Sequence, residues 1–152
     1  MQTITLSPAS VVKSGSGKKM TVVGHEATIK LSNEQANGNY VFEVVSPAGM
    51  GIPPHKHAHE DELIYILSGE FEVFLDGKIS TATAGDWLNF TRGSAHGFTN
   101  TGSLPGKTLW VVSPGKNFEE FFDKLGSLPA GAPDMEKLAK LFADYGLPLL
   151  PM

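Results

Sequence analysis

Turn-forming residues punctuate the first two thirds of this chain every few positions. Gly and Pro together supply 27 of the 152 residues, 17 and 10 respectively, a proportion that suits many short strands better than a helical bundle. The segments between the turns alternate or are rich in β-branched residues: Thr3–Leu6, Met20–Val23, Thr28–Leu31, Tyr40–Val45, Glu62–Leu67, Glu70–Leu75, Ile79–Thr83, Trp87–Phe90, Ala95–Asn100 and Lys107–Val112. Asp76-Gly77 fits a two-residue hairpin turn, since both positions tolerate positive φ. Pro47 and the Gly49–Pro54 stretch break the strand pattern. Strands this short and this closely spaced predict a β-sandwich or barrel.

The last third changes period. Phe118, Phe121, Phe122 and Leu125 recur at helical spacing, with Gly126 as the expected C-cap. Met135, Leu138, Leu141, Phe142 and Tyr145 form a second apolar stripe that ends at Gly146. Both stripes are too apolar to stand in water, so the two helices are expected to pack on the barrel or on a second subunit. The expected organisation is one domain over 1–152, with a barrel over about 1–115 and a helical tail over about 116–152.

Composition excludes several function classes. Twelve basic residues against sixteen acidic ones give a net charge of −4, and the one adjacent basic pair is Lys18-Lys19. Such a chain has no footprint for gripping a phosphate backbone, and no nucleic-acid partner is expected. The longest apolar run, Leu63–Leu67, falls far short of a membrane span of ~20 residues. Met1–Leu6 lacks the features of a secretory signal, so a cytoplasmic location is the default expectation. The absence of cysteine removes disulfides, thiolate metal sites and a cysteine nucleophile.

The histidines are unevenly placed. Of five, three fall in His55-Lys56-His57-Ala58-His59. On an extended strand, His55 and His57 project from one face and Lys56 from the other. Glu62 opens the next strand, on the face of Ile64 and Ile66, and His96 lies in a separate strand with Phe98 and Asn100 on its side. Neutral imidazoles with one carboxylate suit Fe, Mn, Ni, Zn, Co or Cu without choosing among them. Glu60 and Asp61 adjoin Glu62 as further carboxylates. His59 falls in the turn, solvated or guarding a mouth, and His25 reads as structural. Ile64, Ile66, Phe71, Val73, Trp87, Phe90, Phe98 and Trp110 are the expected core, some of them lining any barrel cavity.

Gly49, His55, His57, Glu62 and Gly69 stand at the spacings of the first cupin motif, and Gly85, Gly93, His96 and Asn100 at those of the second. Thr91 occupies the position where that family usually has proline, a departure at a turn that leaves the ligand positions intact. The segment Gly49–Asn100 thus resembles the cupin superfamily, and the helical tail is similar to that of small quercetin-dioxygenase-like cupins. The resemblance implies an all-β jelly-roll (double-stranded β-helix) barrel with two C-terminal α-helices. It also implies one divalent transition metal ion held by His55, His57, Glu62 and His96, with Glu62 doubling as general base. Asn100 reads as a turn residue or one that hydrogen-bonds around the site.

Open coordination positions on such a metal distinguish a catalytic site from a closed structural one. A metal-dependent dioxygenase acting on a small, mainly apolar or aromatic oxygenated molecule is the leading expectation. A metal-dependent isomerase, lyase or hydrolase is the alternative, as is a non-enzymatic small-molecule-binding protein, because one scaffold serves all of these. A phosphosugar substrate would call for pocket cations, and the motif region offers only Lys56 and Arg92. A homodimer is expected, formed through sheet faces and the edge strand Met1–Leu6.

Overall fold

The computed structural model describes residues 5–151. Ten strands run in the order β1 (Lys18–Val22), β2 (His25–Leu31), β3 (Tyr40–Ser46), β4 (Gly51–His55), β5 (Asp61–Ser68), β6 (Glu70–Leu75), β7 (Lys78–Thr83), β8 (Trp87–Phe90), β9 (His96–Asn100) and β10 (Gly106–Ser113). Two helices follow, α1 (Lys116–Gly126) and α2 (Met135–Asp144). The strands form a six-stranded sheet, β1-β2-β3-β10-β5-β8, and a four-stranded sheet, β4-β9-β6-β7. Every pairing is antiparallel. This is the jelly-roll barrel that the cupin resemblance implied, within the sandwich-or-barrel class predicted by the strand spacing.

Alternation dictates the core. In β3, Tyr40, Phe42, Val44 and Ser46 point inward and their neighbours outward; in β10 the inward set is Gly106, Thr108, Trp110 and Val112. Phe42 stacks on Trp110, and Trp110 meets Phe98 of the opposite sheet at a centroid distance of 5.5 Å. The Asp76-Gly77 hairpin has both residues at positive φ, +46° and +84°, the conformation its turn type requires.

Three expectations need correction. Gly49–Pro54 does not simply interrupt the strands, because β4 runs through Pro53 and Pro54. Prolines are tolerated there because β4 is the edge of its sheet, where a missing N–H breaks no ladder. Trp87 is 60% exposed and packs on Tyr65 across the outer face. It is not core, because β8 is an edge strand and position 87 falls on the side facing away from the barrel. At the N-terminus, Thr5 and Leu6 belong to no strand, and Met1–Ile4 of the expected edge strand lie outside the described residues.

The helices pack on the barrel. Phe118, Phe121, Phe122 and Leu125 are the buried residues of α1. Gly126 is its last helical residue and Ser127 the cap; a Cβ at Gly126 would stand 3.1 Å from Met20 Sδ, so the helix end presses directly on β1. Asp134 caps α2 by accepting from the backbone N–H groups of Glu136 and Lys137. Of the predicted second stripe, Leu138 and Phe142 are buried, whereas Met135 is 58% exposed. Beyond α2 the chain returns along the free edge of β4. Ala58 N–H donates to Gly146 O (2.8 Å), Lys56 N–H to Pro148 O (3.3 Å) and Leu150 N–H to Pro54 O (2.9 Å). The edge that carries the histidine segment is therefore covered by the chain's own C-terminus. Among the described residues no helix is long and apolar enough to cross a membrane.

Candidate metal centre

His55 is the last residue of β4 and His96 the first of β9, directly opposite each other in the ladder. His57 lies two residues past the strand end in extended chain, where its carbonyl accepts from Gly93 N–H (2.8 Å). Glu62, second in β5, shares the inward face with Ile64 and Ile66. One nitrogen from each of the three histidines lies within 4.8 Å of the others. The Glu62 carboxylate reaches to 3.2 Å of His96 Nε2 and 3.7 Å of His57 Nε2. All four side chains are buried. The structure therefore brings together the four residues singled out in the sequence, from three strands and one connecting segment.

The outer nitrogens show which ones face inward. His55 Nδ1 stands 2.8 Å from Pro53 O, His96 Nδ1 3.2 Å from Ser94 O, and His57 Nδ1 3.3 Å from Glu60 Oε2. Each of those oxygens can only accept, so the tautomer that fits them carries its proton on Nδ1 and turns Nε2 inward, where His96 Nε2 also stands 3.2 Å from Glu62 Oε2. His55 Nε2 and His57 Nε2 are 3.1 Å apart, beside a carboxylate whose Oε1 has no hydrogen-bond partner. Buried imidazole nitrogens beside a carboxylate oxygen without a partner form a setting that a cation between them would satisfy. Three imidazole nitrogens and one carboxylate oxygen are the donor set of a divalent transition metal.

The electrostatics distinguish the histidines. Burial, reinforced by the neighbouring His96 and His57, pushes the His55 pKa down to about 4. Burial also opposes protonation of His57, but the Glu62 and Glu60 carboxylates outweigh it and hold its pKa above the ordinary value. Glu62 is pushed upward by burial and pulled further down by His57, His96 and His55, so it stays ionised below the usual carboxylate range.

Aromatic rings box the cluster. Phe90 stacks on His96 at 4.1 Å, Phe118 on His57 at 5.6 Å, and Phe142 meets His55 edge-on at 5.9 Å. Two of these three rings come from the C-terminal helices, which close the barrel over the site. The cavity beside His55 and Glu62 has a volume of about 40 Å³ and is walled by Val44, Phe98 and Trp110 of the barrel and by Phe118, Phe122 and Phe142 of the tail. No Lys or Arg lines it among the described residues. Lys56 is exposed, and Arg92 forms an outward ion pair with Asp61 at 3.0 Å. His59 is exposed beside Gly146, and His25 is buried against Ser46 Oγ and Gly51 O, a structural residue as expected. Asn100 hydrogen-bonds Ser46 O, Leu104 O and Gly102 N–H, fixing the loop after β9. Sequence reasoning set Glu60 aside as a ligand and missed its contact with His57; the signal was its position three residues past His57 in a tight turn.

Comparison with known proteins places this geometry. The Cupin domain family matches residues 41–112, the span that contains all four site residues. Quercetin 2,3-dioxygenase of Bacillus subtilis is 29% identical over 119 residues, 76% of this chain and 34% of that protein. The chain spans 50–59% of the length of three other curated relatives it matches. Among solved structures, a protein described as a predicted oxalate decarboxylase from Thermotoga maritima superposes with a TM-score of 0.62 at 29% identity, covering 69% of this chain and 99% of that one. An RmlC-like cupin from Shewanella frigidimarina shares the fold at 18% identity and a TM-score of 0.62, over 74% of this chain and 96% of its own. With the two-sheet barrel and both motifs in register around one buried cluster, the chain carries a cupin domain over residues 41–112.

Proposed function

We propose that His55, His57, Glu62 and His96 hold one divalent transition metal ion, and that the centre serves a dioxygenase-type reaction on a small, mainly apolar or aromatic oxygenated molecule. The observation that carries the reading is the gathering of three buried histidines beside the buried Glu62 carboxylate, whose Oε1 has no hydrogen-bond partner, inside an aromatic box. A bound metal of this kind supplies Lewis acidity toward a substrate oxygen and, as iron or copper, a path for electrons. Glu62, ionised and desolvated, is placed to accept a proton from a substrate hydroxyl at Oε1. The three outer acceptors keep the imidazoles oriented. The rings of Phe90, Phe118 and Phe142 exclude water, and with no cationic side chain on the chamber wall, an uncharged ligand is favoured over a phosphorylated one. The quercetin 2,3-dioxygenase relative supports the reaction class.

A chamber of about 40 Å³ holds a few water-sized groups, whereas pockets for drug-sized ligands run to ~300–1,000 Å³. A substrate with an aromatic ring therefore requires the helical tail to move, and binding should be accompanied by its displacement. We also propose that two copies associate over the outer sheet face, where Leu63, Leu67 and Trp87 are exposed; a dimer mass in light scattering is expected, and a monomer at micromolar concentration refutes it. Elemental analysis of protein purified without an affinity metal column tests the centre, with His55→Ala and His57→Ala as controls. About one Fe, Ni or Cu per chain, lost in both variants, together with oxygen uptake on a flavonol or other enol, is the expected result. Failure to take up any metal after reconstitution refutes the reading, and turnover without oxygen refutes its dioxygenase part.

A further inference from the structure

Among the described residues the fold buries two carboxylates, Glu62 and Glu60. Glu60 has no solvent exposure and no Lys or Arg partner. Burying a carboxylate this way is costly unless specific donors compensate it, and each oxygen has one. Oε2 faces His57 Nδ1 at 3.3 Å, and Oε1 accepts from Asn117 Nδ2 at 2.7 Å. The same Asn117 amide donates its second hydrogen to Tyr145 O at 2.9 Å. Asn117 is the second residue of α1 and Tyr145 the cap of α2. A continuous hydrogen-bonded path thus leads from His57 through one buried carboxylate to both C-terminal helices.

His57 differs in this from the other two histidines. His55 and His96 are oriented by carbonyls two residues back in their own strand or turn, Pro53 O and Ser94 O. Those acceptors are fixed by the barrel itself. The acceptor for His57 is a side chain whose second oxygen is anchored from the tail. If the tail undocks, Asn117 leaves, Glu60 Oε1 loses its partner and the carboxylate is free to turn away from His57. A carboxylate at the outer nitrogen of a ligating imidazole fixes its tautomer and ring orientation and raises its donor strength.

We propose that Glu60 is a positioning residue for His57 and that Asn117 makes this positioning depend on the docked tail, so that metal uptake and tail docking reinforce each other. The inference rests on the reading of the histidine cluster as a metal centre. Coupling of this kind is reciprocal: whatever factor tail docking adds to metal affinity, metal adds to tail docking. Glutamine is the informative replacement at position 60, because it keeps the shape but has one acceptor oxygen for two donors.

The test measures Co²⁺ affinity by chelator competition, the Co²⁺ absorption bands, and backbone hydrogen exchange across 116–147 with and without Co²⁺. Glu60→Gln is expected to weaken Co²⁺ binding about 10–100-fold and to change the bands. Asn117→Ala should act in the same direction by a smaller factor. In the wild type, Co²⁺ should slow exchange in the tail, and in Glu60→Gln that dependence should shrink or vanish. A purely structural role for Glu60 would speed exchange equally in metal-free and loaded protein and leave the bands unchanged. Should Glu60→Gln fail to fold, Asn117→Ala carries the test alone. Wild-type protein that binds no Co²⁺ sinks the metal reading and the coupling with it. Wild-type binding, with both folded variants within twofold of it or with tail exchange indifferent to Co²⁺, overturns the coupling alone.

Discussion

Replacing Phe118 by alanine isolates what the tail contributes to the closed site. The Phe118 ring is 3% exposed, stacks on His57 and on Phe42 at 5.9 Å, and lies 4.7 Å from Phe122 and 5.6 Å from Phe121. Removing it from such a setting forfeits about 2–3 kcal/mol of transfer free energy. The walls around the gap are aromatic and already border a chamber of about 40 Å³, so they have little to collapse onto. A residual void on the order of 80 Å³ adds about 2 kcal/mol at ~24 cal/mol per Å³. The expected loss is therefore about 4–5 kcal/mol, at the upper end of Phe→Ala changes. Met135→Ala is the matched control: it sits on the same kind of apolar stripe in the sequence but is 58% exposed, and should cost no more than about 0.5 kcal/mol. Urea unfolding of the metal-free proteins, followed by circular dichroism and compared at constant m, measures both. A loss below about 2 kcal/mol for Phe118→Ala would refute the packing argument. So would a Met135→Ala loss within about 1 kcal/mol of it.

Three further outcomes are expected. Saturating the protein with its preferred divalent metal at ~100 times Kd should add about 2.7 kcal/mol, or about 5–10 °C in thermal midpoint for a chain of this size, and the rise should disappear in His57→Ala or on adding chelator. Burial lowers the His25 pKa against the opposing hydrogen bond that the ring donates to Gly51 O; the unfolded chain therefore takes up that proton first, and stability is lost as pH falls below about 6.5. In His25→Gln the denaturation midpoint of metal-free protein should depend less on pH between 6.5 and 4 than in wild type, and equal slopes would refute the assignment. Asn100 makes three hydrogen bonds at 2.9 Å, one of them buried and two partly buried, so Asn100→Ala should cost on the order of 2–4 kcal/mol by urea unfolding; a change under 1 kcal/mol would show that the loop finds other partners.

Most of the barrel was legible in the spacing of strands and turns, and the gathering of the site in the resemblance to the cupin motifs, with strand parity setting which side chains share a face. Strand parity is exact, so His55 and His57 had to share a face, Glu62 had to join Ile64 and Ile66, and Lys56 had to point away. Period alone does not say which strand lies at an edge. That is why Pro53 and Pro54 looked like a break in the strand pattern, and why Trp87 looked like core. Both misreadings vanish once β4 and β8 are known to be the outermost strands of their sheets. The helical stripes likewise showed that α1 and α2 had an apolar face without saying what it would cover.

What it covers changes how the site must work. In an open barrel the histidine cluster would face solvent through the mouth, and substrate size would be set by the barrel walls alone. Here Phe118 and Phe142 lie against His57 and His55, and residues 146–150 complete the β4 edge. The residues that shape the chamber are thus drawn partly from the last third of the chain, outside the motif region. A ring-sized ligand can reach Glu62 only by displacing some of that packing, and the cost must be met by its own contacts with the apolar wall. Weakening the tail should therefore act on binding and stability in opposite directions. Phe142→Ala should destabilise the ligand-free protein, as its buried ring predicts, yet bind an uncharged aromatic probe such as naphthol more tightly than wild type, since less packing has to be undone. Calorimetric titration of both proteins decides it. Naphthol affinity that falls together with stability in Phe142→Ala would mean that the ligand binds against the docked tail, and that the closed chamber is the working form of the site.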